Sequence, residues 1–288
     1  MKVLDVAAGN GNFAVAAARI GAGVTASDVS AHMVGLGRGR SRAEGLDVTW
    51  LEADAESLPF AAAFDVVASV FGAMFAPRPE LVAGEMFRTA RPGGVVAMAN
   101  YGSAGYLGRL SDLIGTFSSA PPSALPSPYL WGEPDEVRRR FRGLASKLAV
   151  EPGILTFRFA SLEAWREEFA NTNPPLMALK QILPAAAFEG LIAQAVALVD
   201  ELNPGARRHR GPGLELPGGD RPQVTLLPAF ADHGHAERAD SQQARVDLCS
   251  VDQVGAGLSD RHVHVEVAMV EQEQDRAARE MAPHDLHS

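Results

Sequence analysis

The amino-acid sequence predicts an α/β protein built on a doubly wound, mostly parallel sheet. Three observations lead there. Apolar and β-branched runs recur at residues 3–6, 24–27, 48–51, 64–70 and 95–101, with helical stretches and turns between them. A turn with two glycines follows the first run, and acids stand where the second and third runs end. Strands that alternate with helices call for a parallel sheet covered on both faces, with ligands bound outside the strands' carboxyl ends.

Val3, Leu4 and Val6 read as a buried strand that stops at Ala7-Ala8-Gly9-Asn10-Gly11, where glycine lets the backbone come close to a ligand. The Ala-rich residues 14–19 continue as a helix, Val24 to Ser27 form a second strand, and Asp28 sits at its end. A carboxylate in that position is placed to accept hydrogen bonds from the two ribose hydroxyls of an adenosine ligand. Gly9-x-Gly11-x-x-Ala14 fits the dinucleotide fingerprint formally. Asp5, four residues before Gly9, argues against it, because a carboxylate there repels pyrophosphate at the helix N-terminus. S-adenosylmethionine has no phosphate; it carries an ammonium and a sulfonium group, which suit an acid. The pattern Asp5-x-Ala7-x-Gly9-x-Gly11 resembles the first motif of class I S-adenosylmethionine-dependent methyltransferases, with Ala7 in place of the usual glycine. The resemblance implies Asp5, Ala7, Gly9, Gly11, Asp28 and Val29 as cofactor-binding residues and a Rossmann-like sheet of the class I methyltransferase type.

Further along, Ser30 is a candidate N-cap for a helix to about Arg42, with His32 on its exposed first turn. Gly45-Leu46 turns into the third strand, Val48 to Leu51, which runs out into Glu52-Ala53-Asp54-Ala55-Glu56-Ser57-Leu58-Pro59-Phe60. That segment resembles the family's motif after the third strand, which implies Asp54 and the amide of Ala55 against the adenine ring. Phe64 to Val70 reads as the central fourth strand. At its exit Val70 and Phe71 are expected to pack on the cofactor, and Met74 and Phe75 to line the acceptor pocket, although plain core suits these apolar side chains equally. A helix over about 80–88 offers Leu81, Met86 and Phe87 for packing, and Arg91-Pro92-Gly93-Gly94 turns into the fifth strand. Asn100 and Tyr101 end that strand on the acceptor side.

Residues 1–101 are therefore expected to be the cofactor-binding half of a methyltransferase domain spanning 1–206, and 102–206 its variable acceptor half. In the second half, Leu107 to Phe117 has helical apolar spacing, and the proline-rich residues 121–128 read as a loop. Tyr129-Leu130-Trp131-Gly132 either closes over a substrate or pins that loop to the core, and pinning is the expectation. Arg138, Arg139, Arg140 and Arg142 read as a solvated basic face, with binding of an anionic substrate group as the lesser alternative. Two strands are expected around Glu151-Pro152-Gly153, then a helix opened by Ser161, then a last helix from about Pro184 to Leu202. In wording and order, residues 2–202 are similar to small-molecule methyltransferases of the ubiquinone/menaquinone-biosynthesis type.

Past residue 206 the texture changes: seven of the eight histidines and the only cysteine lie there, and all three tryptophans lie before it. A class I sheet closes with a late hairpin, but residues 206–223 stand at that place with glycines and prolines that do not make a strand. Read one nucleotide later, the codons for 207–223 are able to spell an alternating, strand-like peptide. The expectation is an incomplete closing hairpin and, over 207–288, a frameshifted or disordered tail. Within it, His262 to Val267 alternates with period two and suits an edge strand, residues 271–288 are polar and expected to be disordered, and two His-x-His pairs without a scaffold are weak as metal ligands. At the other end, Met1 and Lys2 lead straight into the first strand, which suggests a shortened start.

Composition sets the partners. A net charge of −9 disfavours nucleic acid and anionic membranes, and a lone Cys249 fits a reducing, cytoplasmic setting. The expected function is methyl transfer from S-adenosylmethionine to a small-molecule acceptor, giving S-adenosylhomocysteine, with no catalytic base or metal ligand identifiable. Two alternatives follow in order: a non-catalytic adenosine-ligand binder or inactive remnant, and a nicotinamide-dependent oxidoreductase.

Overall fold

A computed structural model describes residues 1–118, 125–157, 161–202 and 261–272. The first half of the chain alternates as expected: β1 (Lys2–Val6), α1 (Asn12–Arg19), β2 (Gly23–Asp28), α2 (Ala31–Ala43), β3 (Val48–Glu52), β4 (Phe64–Val70), α3 (Pro79–Thr89) and β5 (Ala90–Tyr101), with a 3₁₀ turn at Ala73–Phe75. Ser30 caps α2, its Oγ accepting the Met33 N–H at 3.3 Å. Then come α4 (Tyr106–Phe117), a 3₁₀ helix Pro128–Gly132, α5 (Pro134–Arg140), β6 (Ala145–Phe157), α6 (Leu162–Thr172), α7 (Pro174–Ile182), α8 (Ala185–Leu202) and β7 (Arg261–Gln272).

The seven strands form one open sheet in the order β3-β2-β1-β4-β5-β7-β6. β1 to β5 are mutually parallel, and β7 runs antiparallel to both β5 and β6. Strand order reverses between β1 and β4, which makes the space above their carboxyl ends the topological switch point. One face of the sheet buries Leu4, Val6, Val67, Val96 and Met98 against α3, α5 and the 3₁₀ helix; the other buries Val3, Val24, Ala26 and Ala97 against α1, α2 and Trp50. Helices α4, α6, α7 and α8 pack together in two smaller clusters around Leu176, Leu191, Leu110 and Trp165.

Five expectations need correction. Glu151-Pro152-Gly153 does not divide a pair of strands: β6 is continuous, and it tolerates proline because it is the sheet's edge, where an amide is not needed on the outer side. The alternating segment around His262 is internal rather than an edge, since β7 pairs on both sides. Gln272 and Glu271, expected in a disordered end, belong to that strand. Helix α7 was not foreseen; Asn173 caps it by accepting the Leu176 N–H at 3.2 Å. Leu81, expected to pack, is exposed, while Met86 and Phe87 are buried. β6 and β7 are joined by residues 158–260, not by a tight hairpin turn; residues 206–223, Cys249 and the pair His233/His235 lie outside the described residues.

Candidate functional site

The turn after β1 is held from three directions. Asp5 is buried in β1, and its Oδ2 accepts the Ala14 N–H of α1 at 3.0 Å. Asp28, at the end of β2, accepts the Gly9 N–H at 2.8 Å with one carboxylate oxygen and the Ser30 N–H at 2.9 Å with the other. Ala8 N–H donates to the Ser27 carbonyl at 2.8 Å. The backbone of Ala7, Gly9 and Gly11 lies at positive φ, +54°, +56° and +87°. For Ala7 that region is unfavourable by about 1 kcal/mol. Its methyl has room because the facing residue is Gly72, where a Cβ would stand 2.0 Å from the Ala7 carbonyl oxygen. The β1 and β4 exits therefore touch, backbone on backbone, at the switch point.

Both acids keep capacity for more. A carboxylate oxygen accepts about two hydrogen bonds, and each Asp28 oxygen is given one. Burial pushes the Asp5 carboxyl up to about 8, against the Ala14 hydrogen bond that lowers it, and the neighbouring Asp28 charge adds to the rise. The hydrogen bonds that reach these two acids come from backbone amides.

The exit of β3 is tied to the same turn. Ala53 N–H donates to the Asp28 carbonyl at 2.9 Å, and Asp54 Oδ1 accepts the Glu56 N–H at 2.9 Å, so Asp54 stays exposed while Ala55 is buried. The loop is locked by residues that the sequence did not single out. Buried Glu56 holds Arg78 through the Arg78 amide and Nε, each at 2.6 Å. Glu85 takes the Leu58 N–H at 2.6 Å, and Arg88 donates to the Phe60 and Leu58 carbonyls at 2.6 and 2.7 Å. Only a rough signal for this existed: a Glu and an Arg three residues apart on one helix face.

At the exit of β4, Val70 is half-buried and Phe71 adopts φ +58°, uncommon for an aromatic residue. The Phe71 amide donates to the Ala99 carbonyl at 2.9 Å, and its ring stacks on Tyr101, centroids 4.3 Å apart and 10° from parallel. These two expected site residues are thus brought together. Val29 is exposed beside Asp28. Met74 is not open to a pocket: it is 1% exposed in the core with Val82 and Phe87, whereas Phe75 of the same turn is exposed. The turn sends alternate residues in opposite directions, which spacing alone did not decide. Asn100 is buried, and Tyr101 is half-buried. Trp131 is buried, as pinning requires, and Arg140, expected on a solvated face, is buried against it.

Residues 3–94 match the family model described as a methyltransferase domain. That segment is similar to methyltransferase domains, and the sheet has their Rossmann-like fold. Among curated relatives, an uncharacterized protein of Mycobacterium tuberculosis is 40% identical over 176 residues, which is 60% of this chain and 64% of that protein. The ubiquinone/menaquinone biosynthesis C-methyltransferase of Allorhizobium ampelinum is 39% identical over 99 residues, 32% of this chain and 38% of that one. The crystal structure of the YcgJ protein from Bacillus subtilis shares the fold, with a TM-score of 0.50 at 16% identity over 95% of this chain and 92% of that chain. The chain spans 64% of the length of the first curated relatives it matches. No helix among the described residues of this methyltransferase-fold chain is long and apolar enough to cross a membrane.

Proposed function

We propose that this chain binds S-adenosylmethionine above the carboxyl ends of β1 to β4 and directs its methyl group to a small-molecule acceptor. The observation that supports this most is the Asp28 carboxylate at an open glycine turn on the switch point, with the buried Asp5 acid behind it, both hydrogen-bonded to amides rather than to basic side chains. A pyrophosphate needs the opposite charge there, while a sulfonium and ammonium ligand is favoured by it. Space fits as well: a Cβ on Gly9 would meet nothing within 4 Å, so ligand atoms have room to approach that backbone.

In this reading Asp28 accepts the ribose hydroxyls, Asp54 and the Ala55 amide face the adenine, and Val70 and Phe71 pack beside the donor. Asp5 sets the turn through Ala14. Residues 1–101 act as the donor half and 102–206 as the acceptor half. The cofactor supplies an activated methyl group and a good leaving group, so little covalent chemistry remains for the protein. Its contribution is proximity and alignment, a source worth roughly 7–11 kcal/mol of the barrier in well-oriented reactions. The Phe71 ring, stacked on Tyr101 while the Phe71 backbone amide donates to the Ala99 carbonyl, provides such a wall.

Calorimetric titration with S-adenosylhomocysteine, with NAD as comparison, tests the assignment. Binding of the first and not the second, lost in Asp28→Ala, supports it; preference for NAD would move the chain to the oxidoreductase reading.

A further inference from the structure

A second set of polar atoms is buried on the far side of β4, and these have no partners. Asn100, at the end of β5, is 1% exposed, and neither its Oδ1 nor its Nδ2 makes a hydrogen bond. The Trp131 Nε1–H, on a side chain equally buried, has none either. Arg140 is 5% exposed; its Nε donates to Glu136 Oε1 at 3.0 Å, while Nη1 and Nη2 have no hydrogen-bond partner, Nη2 lying 3.0 Å from the same oxygen out of alignment. The Arg140 guanidinium carbon stands 4.3 Å from the centre of the Trp131 ring.

These groups share one side of the sheet. Val96 and Met98 of β5 belong to the core cluster that contains Trp131, and Asn100 continues their face at the strand period of two. The 3₁₀ helix bearing Trp131 crosses the end of β5 so closely that a Cβ on Gly132 would stand 2.3 Å from the Gly102 Cα and 2.8 Å from the Tyr101 carbonyl oxygen. Ser103 Oγ donates to the Glu133 carboxylate beside that crossing. Native proteins satisfy nearly all buried polar atoms, so the unsatisfied donors of Trp131 and Arg140, which touch, and of Asn100 on the same sheet face call for a partner.

We infer that Asn100, Trp131 and Arg140 form the acceptor subsite, and that they receive a carboxylate of the methyl acceptor. The Asn100 Nδ2–H, the Trp131 Nε1–H and the Arg140 guanidinium donate to its oxygens. This rests on the donor reading above and narrows the acceptor to a small anionic molecule. Trp131 supplies aromatic surface beside it.

Benzoate, benzamide and benzyl alcohol are suitable probes, titrated calorimetrically into the full chain with and without saturating S-adenosylhomocysteine. Benzoate is expected to bind at least tenfold more tightly than benzyl alcohol, with benzamide between them. That preference should fall to twofold or less in Arg140→Met, Trp131→Phe and Asn100→Leu, with S-adenosylhomocysteine affinity unchanged. Asn100→Leu removes two unpartnered atoms, so its melting temperature should hold or rise, which keeps the test valid if Arg140→Met fails to fold. Equal binding of the three probes, together with a melting temperature lowered in Asn100→Leu, would indicate internal hydration and overturn the inference. Benzoate preference without any S-adenosylhomocysteine binding would overturn the donor reading and leave a carboxylate site with no methyl-transfer role.

Discussion

At the β1–β3 side of the crevice, each acid that shapes the site already holds a backbone amide: Asp5 holds Ala14, Asp28 holds Gly9 and Ser30, and Asp54 holds Glu56. At the end of β5, Asn100, Trp131 and Arg140 are buried, yet the Asn100 amide, the Trp131 Nε1–H and the Arg140 Nη atoms make no hydrogen bond. The first arrangement is preorganised, so binding there costs little reordering. The second carries a standing penalty of about 1–3 kcal/mol for each unsatisfied group, which only a partner relieves. One side of the molecule is finished by its own backbone, and the other is finished by what it binds.

Substitutions on the finished side should therefore damage folding and donor binding together. The largest effect is expected from Gly72→Ala. A Cβ there overlaps the Ala7 carbonyl, and backbone cannot step aside as a side-chain tip does; urea unfolding should show a loss of about 3 kcal/mol, with S-adenosylhomocysteine binding gone. Wild-type stability within a few tenths would show that the β1 and β4 exits are not in contact.

Asp5 gives the next effect, and its sign is unusual for an acid. Its folded-state value is raised from 3.8 to about 8, so the folded chain holds a proton that the unfolded chain has released. Stability from this group is present at low pH and is lost as pH rises from about 4 towards 8. Asn mimics the protonated form and keeps an oxygen for the Ala14 amide. Between pH 5 and 7, Asp5→Asn should lose up to about 3 kcal/mol less stability than the wild type, measured by denaturant unfolding at each pH. Superimposed profiles would mean that Asp5 is ionised in the folded protein.

Asp28→Ala removes acceptors from Gly9 and Ser30 and should cost about 2 kcal/mol, read by thermal unfolding. It also separates the two sides, because donor binding is expected to disappear while benzoate binding persists. The smallest effect belongs to Ala7→Gly. Relief of the positive φ should stabilise the chain by up to about 1 kcal/mol, reduced by the greater freedom of unfolded glycine. A lower melting temperature would show that the Ala7 methyl contributes packing that outweighs its strain.

Most of the β1–β3 side of the crevice was legible in the residues. Strand-turn-helix boundaries are local, and Asp5, Gly9, Gly11, Asp28 and Asp54 sit within or just after strands whose period is visible in the chain. The buttress was not: Glu56 reaches Arg78, and Arg88 reaches Leu58, across 22 and 30 positions that no local period connects. Asn100 was placed correctly near the end of β5, but its lack of partners is a property of what surrounds it.

The sequence by itself determined the five parallel strands, the glycine turn and the acids at the strand ends, because these follow from side-chain period and backbone freedom over a few residues. The tertiary structure alone decided which face each side chain took. It turned Met74 into the core, put Arg140 beneath Trp131, ran β6 unbroken through Pro152 at the edge, and set β7 between β5 and β6. Each of these depends on what lies opposite in space, and burial and strand pairing are settled only when distant segments meet.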